Sequence, residues 1–217
     1  MFPNLLSILT VFSVMTANAM GTTVPVQDIL ASHGMPMNDR YGNAYVADVF
    51  KKNILLTMAY MDGSVKNNSE VDWNKIEAPF TYSFTLNPGQ TFAYHDQVLP
   101  QYVGKITKTT NAHFDSSEGF VSDGYLVADG VCHLASLINW VSRDANLDVN
   151  APTNHDFAKI PDIARQYGTA IYDSPDAPGS SQLQNLYVTN NKNKPVEFLF
   201  TYKNDTLYLS ILEEKAI

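Results

Sequence analysis

Apolar residues recur along this chain at two periods, and each period predicts a different element. Over residues 43–61 the spacing is helical. Val46, Phe50, Ile54 and Met58 form an i, i+4 row, with Val49 and Met61 beside it. Asp62-Gly63 closes the segment, because glycine readily takes the left-handed conformation that ends a helix. A second helix is expected over 129–145, where Val131, Leu134, Leu137 or Ile138, Val141 and Ala145 keep the same spacing. Asp129 is its natural N-cap, and Asn146 suits the position past its end. The face made by Val131, Leu134, Ile138 and Val141 should pack on a sheet that includes 196–202 and 206–211.

Elsewhere the pattern is that of strands. Residues 81–86 are a run of Tyr, Phe and Thr, and 91–94 resume it after Asn87-Pro88-Gly89. In that turn Pro88 sets φ and Gly89 supplies the positive φ of a type II turn. Segments 186–189, 196–202 and 206–211 read as a meander, and 125–127, 157–160 and 169–172 as shorter strands. Residues 64–80 are polar and read as an insertion; 95–120 and 146–185 are loop-rich. The expected fold class is α+β: one domain over 43–211, mostly antiparallel sheet with two main helices. An extended arm or linker is expected at 20–42 and a tail at 212–217.

The start of the chain carries a different signal. An apolar run from Leu5 to Val14 precedes Ala17-Asn18-Ala19, a small-x-small cleavage pattern, so 1–19 reads as a signal peptide and the protein as exported. The first basic residue is Arg40, which departs from the usual positively charged signal start.

Composition narrows the partners. Of 217 residues, 14 are Lys or Arg and 22 are Asp or Glu, a formal net charge of −8. Phosphate recognition needs clustered cations, so nucleic acid is not an expected partner. Membrane contact is expected only through an uncleaved N-terminal segment. A single cysteine, Cys132, excludes a disulfide framework. The five histidines are scattered, with no H-E-x-x-H or C-x-x-C, so neither a metal nor a cofactor is expected.

Cys132 itself is the chemical candidate. With Asp129 as cap it would be the third residue of its helix, where free N–H groups and the positive end of the helix dipole favour a thiolate. Its pKa should then fall below the ordinary value of about 8.5, with the Asp129 carboxylate opposing. Gly130 would leave the backbone open to a substrate. His133 is adjacent, but neighbouring helical side chains diverge by about 100°, so His155 is the better base. Asn154 and Asp156 flank it and could orient its ring.

Three stretches resemble the VanW-like family, named after an accessory protein of glycopeptide-resistance clusters. Phe84-Thr85-Leu86-Asn87-Pro88-Gly89-Gln90-Thr91-Phe92-Ala93-Tyr94 resembles F-x-x-x-P-G-E-T-F-S-F-N. Asp129-Gly130-Val131-Cys132-His133-Leu134-Ala135-Ser136-Leu137 resembles G-G-G-V-C-Q-V-S-T-T-L. His155, then Gly168-Thr169-Ala170-Ile171 and the hairpin over 186–200, resemble H-S … D-A-T-V … D-L-x-F-x-N. The chain departs from the pattern at Ala128-Asp129, where the family has two glycines, at His133 for glutamine and at Gly168 for aspartate. The resemblance implies a bacterial envelope protein, similar in role to L,D-transpeptidases, with Cys132 as nucleophile and His155 as base. Asp156, Asn154, His133 and Gly130 are the supporting residues.

Two functions follow as expectations. One is cysteine-dependent acyl transfer on peptidoglycan stem peptides, in which helix-start N–H groups stabilise the oxyanion. The other is a non-catalytic module that binds wall glycan or peptide through loops 95–120 and 173–185, using some of the 12 tyrosines.

Overall fold

The computed structural model describes residues 27–214. The expected signal segment at 1–19 lies outside these residues. The described chain runs β1 (Gln27–Pro36), α1 (Ala44–Asp62), α2 (Trp73–Ile76), β2 (Phe80–Leu86), β3 (Thr91–Ala93), β4 (Ile106–Lys108), α3 (Val131–Asp144), β5 (Asp148–Asn150), α4 (Pro178–Leu183), β6 (Tyr187–Thr189), β7 (Val196–Lys203) and β8 (Thr206–Glu214). The strands form two four-stranded sheets, ordered β1-β8-β7-β2 and β4-β3-β6-β5. Every pairing among the described strands is antiparallel except β3 with β4. The α+β class and the mostly antiparallel pairing are therefore as the periodicity predicts.

Local chemistry explains several joints. β7 and β8 are joined by Asn204-Asp205, with φ of 50° and 51°. Two successive positive φ values define the type I′ turn that matches strand twist, and Asn and Asp tolerate them best after glycine. Gly89 has φ 78° and the Gln90 N–H bonds the Asn87 carbonyl, which closes the expected turn into β3. At α1, the Asn43 side chain accepts from the Tyr45 and Val46 N–H groups, and Gly63 ends the helix at φ 82°.

The core lies between α1, α3 and the first sheet. α1 is buried on nearly every side from Ile54 to Met61. α3 lies against β1, β8 and α1, and Leu134, Ile138 and Val141 are fully buried, as its spacing predicts. On the sheet, Phe84 stacks on Phe198 at 4.8 Å between ring centroids, which adds about 0.5–1.5 kcal/mol beyond area burial.

The structure corrects several expectations. Part of the expected arm, 27–36, is a ten-residue strand pairing with β8 along its whole length. It is an edge strand and carries Gly34, His33 and Pro36, so its sequence has little β character to read. Its partner supplies the ladder. Residues 125–127, 157–160 and 169–172 are not strands. The insertion at 64–80 contains the short helix α2, and β4 and β5 arise within the loop-rich segments. β8 extends the expected 206–211 strand into the tail.

Candidate active site

α3 begins one residue later than expected. Gly130, not Asp129, is its N-cap, with φ 105° and no side-chain cap bond. An ideal Cβ on Gly130 would lie 2.9 Å from the Phe50 carbonyl oxygen and 3.0 Å from its Cα. Glycine is thus required twice, for its φ and for the close approach of α1. It lets the two helices approach closely, and its backbone also lines the cleft described below.

Cys132 is therefore the second residue of α3 and is half-buried. Its surroundings follow from a polar stripe on the helix. Cys132, Ser136 and Asn139 stand at i, i+4 and i+7, on one face. The segment 167–171 lies along that stripe. Asn139 Nδ2 donates to the Tyr167 carbonyl and to Thr169 Oγ1, both at 3.0 Å. The Thr169 N–H donates to Ser136 Oγ at 2.9 Å. The Ile171 N–H donates to Cys132 Sγ at 3.4 Å, and the thiol points back to the Ile171 carbonyl at 3.9 Å. This is why 169–172 joins no sheet: the Thr169 and Ile171 N–H groups bond helix side chains, and those of Ala170 and Tyr172 bond the Thr153 and Gln184 carbonyls.

Burial pushes the Cys132 thiol up to about 11, with the Ile171 N–H pulling it down and Asp129 pushing it up. The thiolate expected from sequence is thus not the resting form. The helix start offers less than assumed, since the Val131 and His133 N–H groups already bond the Ala128 and Gly130 carbonyls. A measurable consequence follows. At pH 7 this thiol carries about 300-fold less thiolate than a free cysteine, and its greater intrinsic nucleophilicity recovers about tenfold. Iodoacetamide should therefore alkylate folded Cys132 about thirtyfold more slowly than free cysteine, with the rate climbing toward pH 11. Labelling at the free-cysteine rate at pH 7 would contradict this.

A cleft of about 440 Å³ opens in front of the thiol. Its walls include Gly130, Cys132, His133, His155, Ile171 and Asp129, and Leu126, Val127, Phe157, Tyr41 and Tyr172 stand at its exposed apolar rim. The cleft thus brings Cys132, His133, His155 and Gly130 to one place, although 23 residues separate the thiol from His155 in sequence.

His155 is buried, and its Nδ1 donates to the Ala158 carbonyl at 3.1 Å, since a carbonyl only accepts. Nε2 is then the nitrogen with the free lone pair. Burial lowers the pKa of this ring, so it is neutral at pH 7 and competent as a base. The expected orienting residues do something else. Asp156 accepts from Arg165 Nε at 3.1 Å, and Asn154 Nδ2 donates to the Arg165 carbonyl at 3.1 Å. The Ala158 carbonyl holds the ring instead, a backbone contact that sequence does not reveal.

His133 is more deeply enclosed. Its Nε2 lies 3.1 Å from the Tyr41 hydroxyl, which itself donates to the Lys159 carbonyl at 3.0 Å. Nε2 is therefore the donor to the phenol oxygen, and the buried Nδ1 has no partner. Burial, with Arg40 and His155 nearby, drives its pKa well down, so it stays neutral.

The Asp129 carboxyl adjoins that of Asp123, and desolvation followed by this pairing pushes it up to about 6. One of its oxygens is buried without a partner. The pairing of Asp123 with Asp129, and the roles of Tyr41 and Ile171, are features of the site that the sequence alone did not reveal. An acid whose folded pKa is raised is penalised when charged, so it costs stability as pH climbs from about 4 to above 6. Asp129→Asn should therefore raise the melting temperature at pH 8 and leave it unchanged at pH 4. A gain that is equal at both pH values would refute the assignment.

The fold also gathers residues that sequence spacing kept apart. His95 and His113 meet at Asp173, well separated from Cys132 in sequence. No family model, curated protein or solved structure matches this chain.

Proposed function

We propose that this protein is an exported cell-envelope enzyme that transfers acyl groups on peptidoglycan stem peptides through Cys132. The observation that carries this reading is one cleft holding both a thiol at the first turn of a helix and a neutral imidazole with a free Nε2, under an apolar rim that suits an extended peptide. The motif resemblance around Pro88-Gly89 and Val131-Cys132 points to wall peptides as the substrate.

Because the resting thiol is protonated, the base acts within the step. His155 Nε2 takes the Sγ proton as sulfur attacks a peptide carbonyl. The Cys132 N–H is the helix-start donor available to the oxyanion. As the tetrahedral intermediate collapses, the C–N bond breaks and the imidazolium returns the proton to the leaving amine. A thioester remains. An acceptor amine then loses its proton to His155, forms the new amide and releases the thiol.

The test is intact-mass measurement of the full chain after exposure to stem peptides. A thioester adduct on the wild type, absent from Cys132→Ala, supports the reading. The elevated thiol pKa and the Ile171 contacts favour a second reading, a wall-binding module without catalysis. It would give no adduct and a peptide affinity that Cys132→Ala leaves unchanged.

A further inference from the structure

Away from the thiol, five side chains converge: His95, Asp96 and Gln97 from the turn after β3, His113 from beyond β4, and Asp173 from the segment leading into α4. Asp173 lies at their centre, and its side chain is 1 % exposed. Its Oδ1 accepts from Gln97 Nε2 at 2.6 Å and its Oδ2 from His113 Nδ1 at 2.8 Å. His95 Nδ1 stands 4.0 Å from Oδ1, on a ring whose side chain is fully buried. The ligating atoms of His95, Asp96 and Asp173 all lie within 4.8 Å of one another.

The hydrogen bonding around His95 leaves one lone pair weakly satisfied. Its Nε2 lies 3.1 Å from the Gln184 carbonyl, so Nε2 carries the proton and Nδ1 does not. The neighbour of Nδ1 is Asn185 Nδ2, which has two hydrogens and three acceptors. The carbonyls of His95 and Gln97 lie at 3.1 Å, nearer than His95 Nδ1 at 3.3 Å. Two hydrogens shared among three acceptors leave His95 Nδ1 with the longest of the three contacts, on a buried ring 4.0 Å from a buried carboxylate. An imidazole nitrogen with so weak a donor, beside a buried carboxylate, is a lone-pair arrangement that a bound cation would complete.

We infer that His95 Nδ1, Asp173 and Asp96 bind one zinc ion, with water completing the tetrahedron. Ligands of tetrahedral zinc stand about 3.4 Å apart, so the His95–Asp173 pair needs to close by about half an ångström. Asp96 is exposed and free to swing in. Imidazole with carboxylate suits zinc, whereas calcium and magnesium prefer all-oxygen sites. Gln97 and His113 hold the Asp173 oxygens as outer-shell partners, and the Gln184 carbonyl fixes the His95 tautomer. The same carbonyl accepts from the Tyr172 N–H at 3.0 Å, and Gln184 also lines the thiol cleft. Zinc would thus clamp the turn after β3 to the 171–173 segment that contacts Cys132. The inference does not depend on Cys132 being catalytic.

The test is calorimetric titration of the chelator-treated full chain with zinc chloride, alongside thermal melting. One saturable zinc site per chain, with a rise in melting temperature, is expected. Asp96→Asn alters an exposed side chain and should fold; it should weaken zinc at least about tenfold. His95→Gln should do the same where it folds, and His33→Gln should change nothing. No saturable binding, or full zinc affinity in Asp96→Asn, would overturn the inference. So would affinity lost in Cys132→Ser and kept in Asp96→Asn, since zinc would then sit at the thiol cleft.

Discussion

Cys132→Ser should abolish acyl transfer while leaving the fold in place. Serine keeps the shape and can accept from the Ile171 N–H and donate to its carbonyl, the two contacts the thiol makes. The stability change should stay within about 1 kcal/mol. Chemistry is another matter. A hydroxyl is a far weaker nucleophile near neutral pH, and removing the nucleophile from an assembled site costs at least about a thousandfold in rate. Transfer of a labelled stem peptide to an acceptor amine, followed by mass spectrometry, reads this directly. Persistent turnover in Cys132→Ser at wild-type rate would end the acyl-transfer reading. His155→Gln adds a discriminating readout. Burial lowers the His155 pKa, so the wild type should keep its activity somewhat below pH 6.5 before protonation of the base switches it off. The variant should be slow and should lack that acidic limb.

Gly130→Ala is expected to be the most damaging single methyl in the described chain. The backbone there has φ 105°, which L-residues adopt only with strain. The new Cβ would meet the Phe50 carbonyl oxygen at 2.9 Å and the Phe50 Cα at 3.0 Å, both backbone atoms within a buried helix. Neither can rotate aside. Conformational strain of about 1–2 kcal/mol adds to overpacking of about 1–3 kcal/mol. The sum corresponds to a melting temperature lower by about 5–15 °C. Gly179→Ala is the control, since nothing lies within 4 Å of its added Cβ and its φ is ordinary. Equal melting temperatures for the two variants would refute the close approach of α1 to α3.

What sequence made legible was whatever is decided locally. The α1 stripe, the Pro88-Gly89 turn, the Asn204-Asp205 hairpin and the Gly63 stop each depend on residues within one turn of one another. Cys132 and His155 also stood out, as side chains of reactive type near a helix start and at the head of an expected strand. The errors share a cause. α3 was expected to start at Asp129 because Asp is a good cap, yet the packing of Phe50 against residue 130 imposed a conformation only glycine accepts readily. The segment 169–172 has strand composition, but its hydrogen bonds go to Ser136 and Cys132 on a helix. The thiol pKa followed enclosure, not the helix dipole.

By itself, then, the order of residues determined the α+β class and the main strands and helices, because steric limits on φ and ψ and apolar periodicity act over a few residues. The tertiary structure alone decided that 27–36 forms an edge strand on β8, that the thiol stays protonated and that Asp156 turns to Arg165. It also brought His95, Asp96 and Asp173 together across 78 positions of chain. Those outcomes depend on desolvation and on which distant backbone groups need partners, and neither is set until the chain has folded.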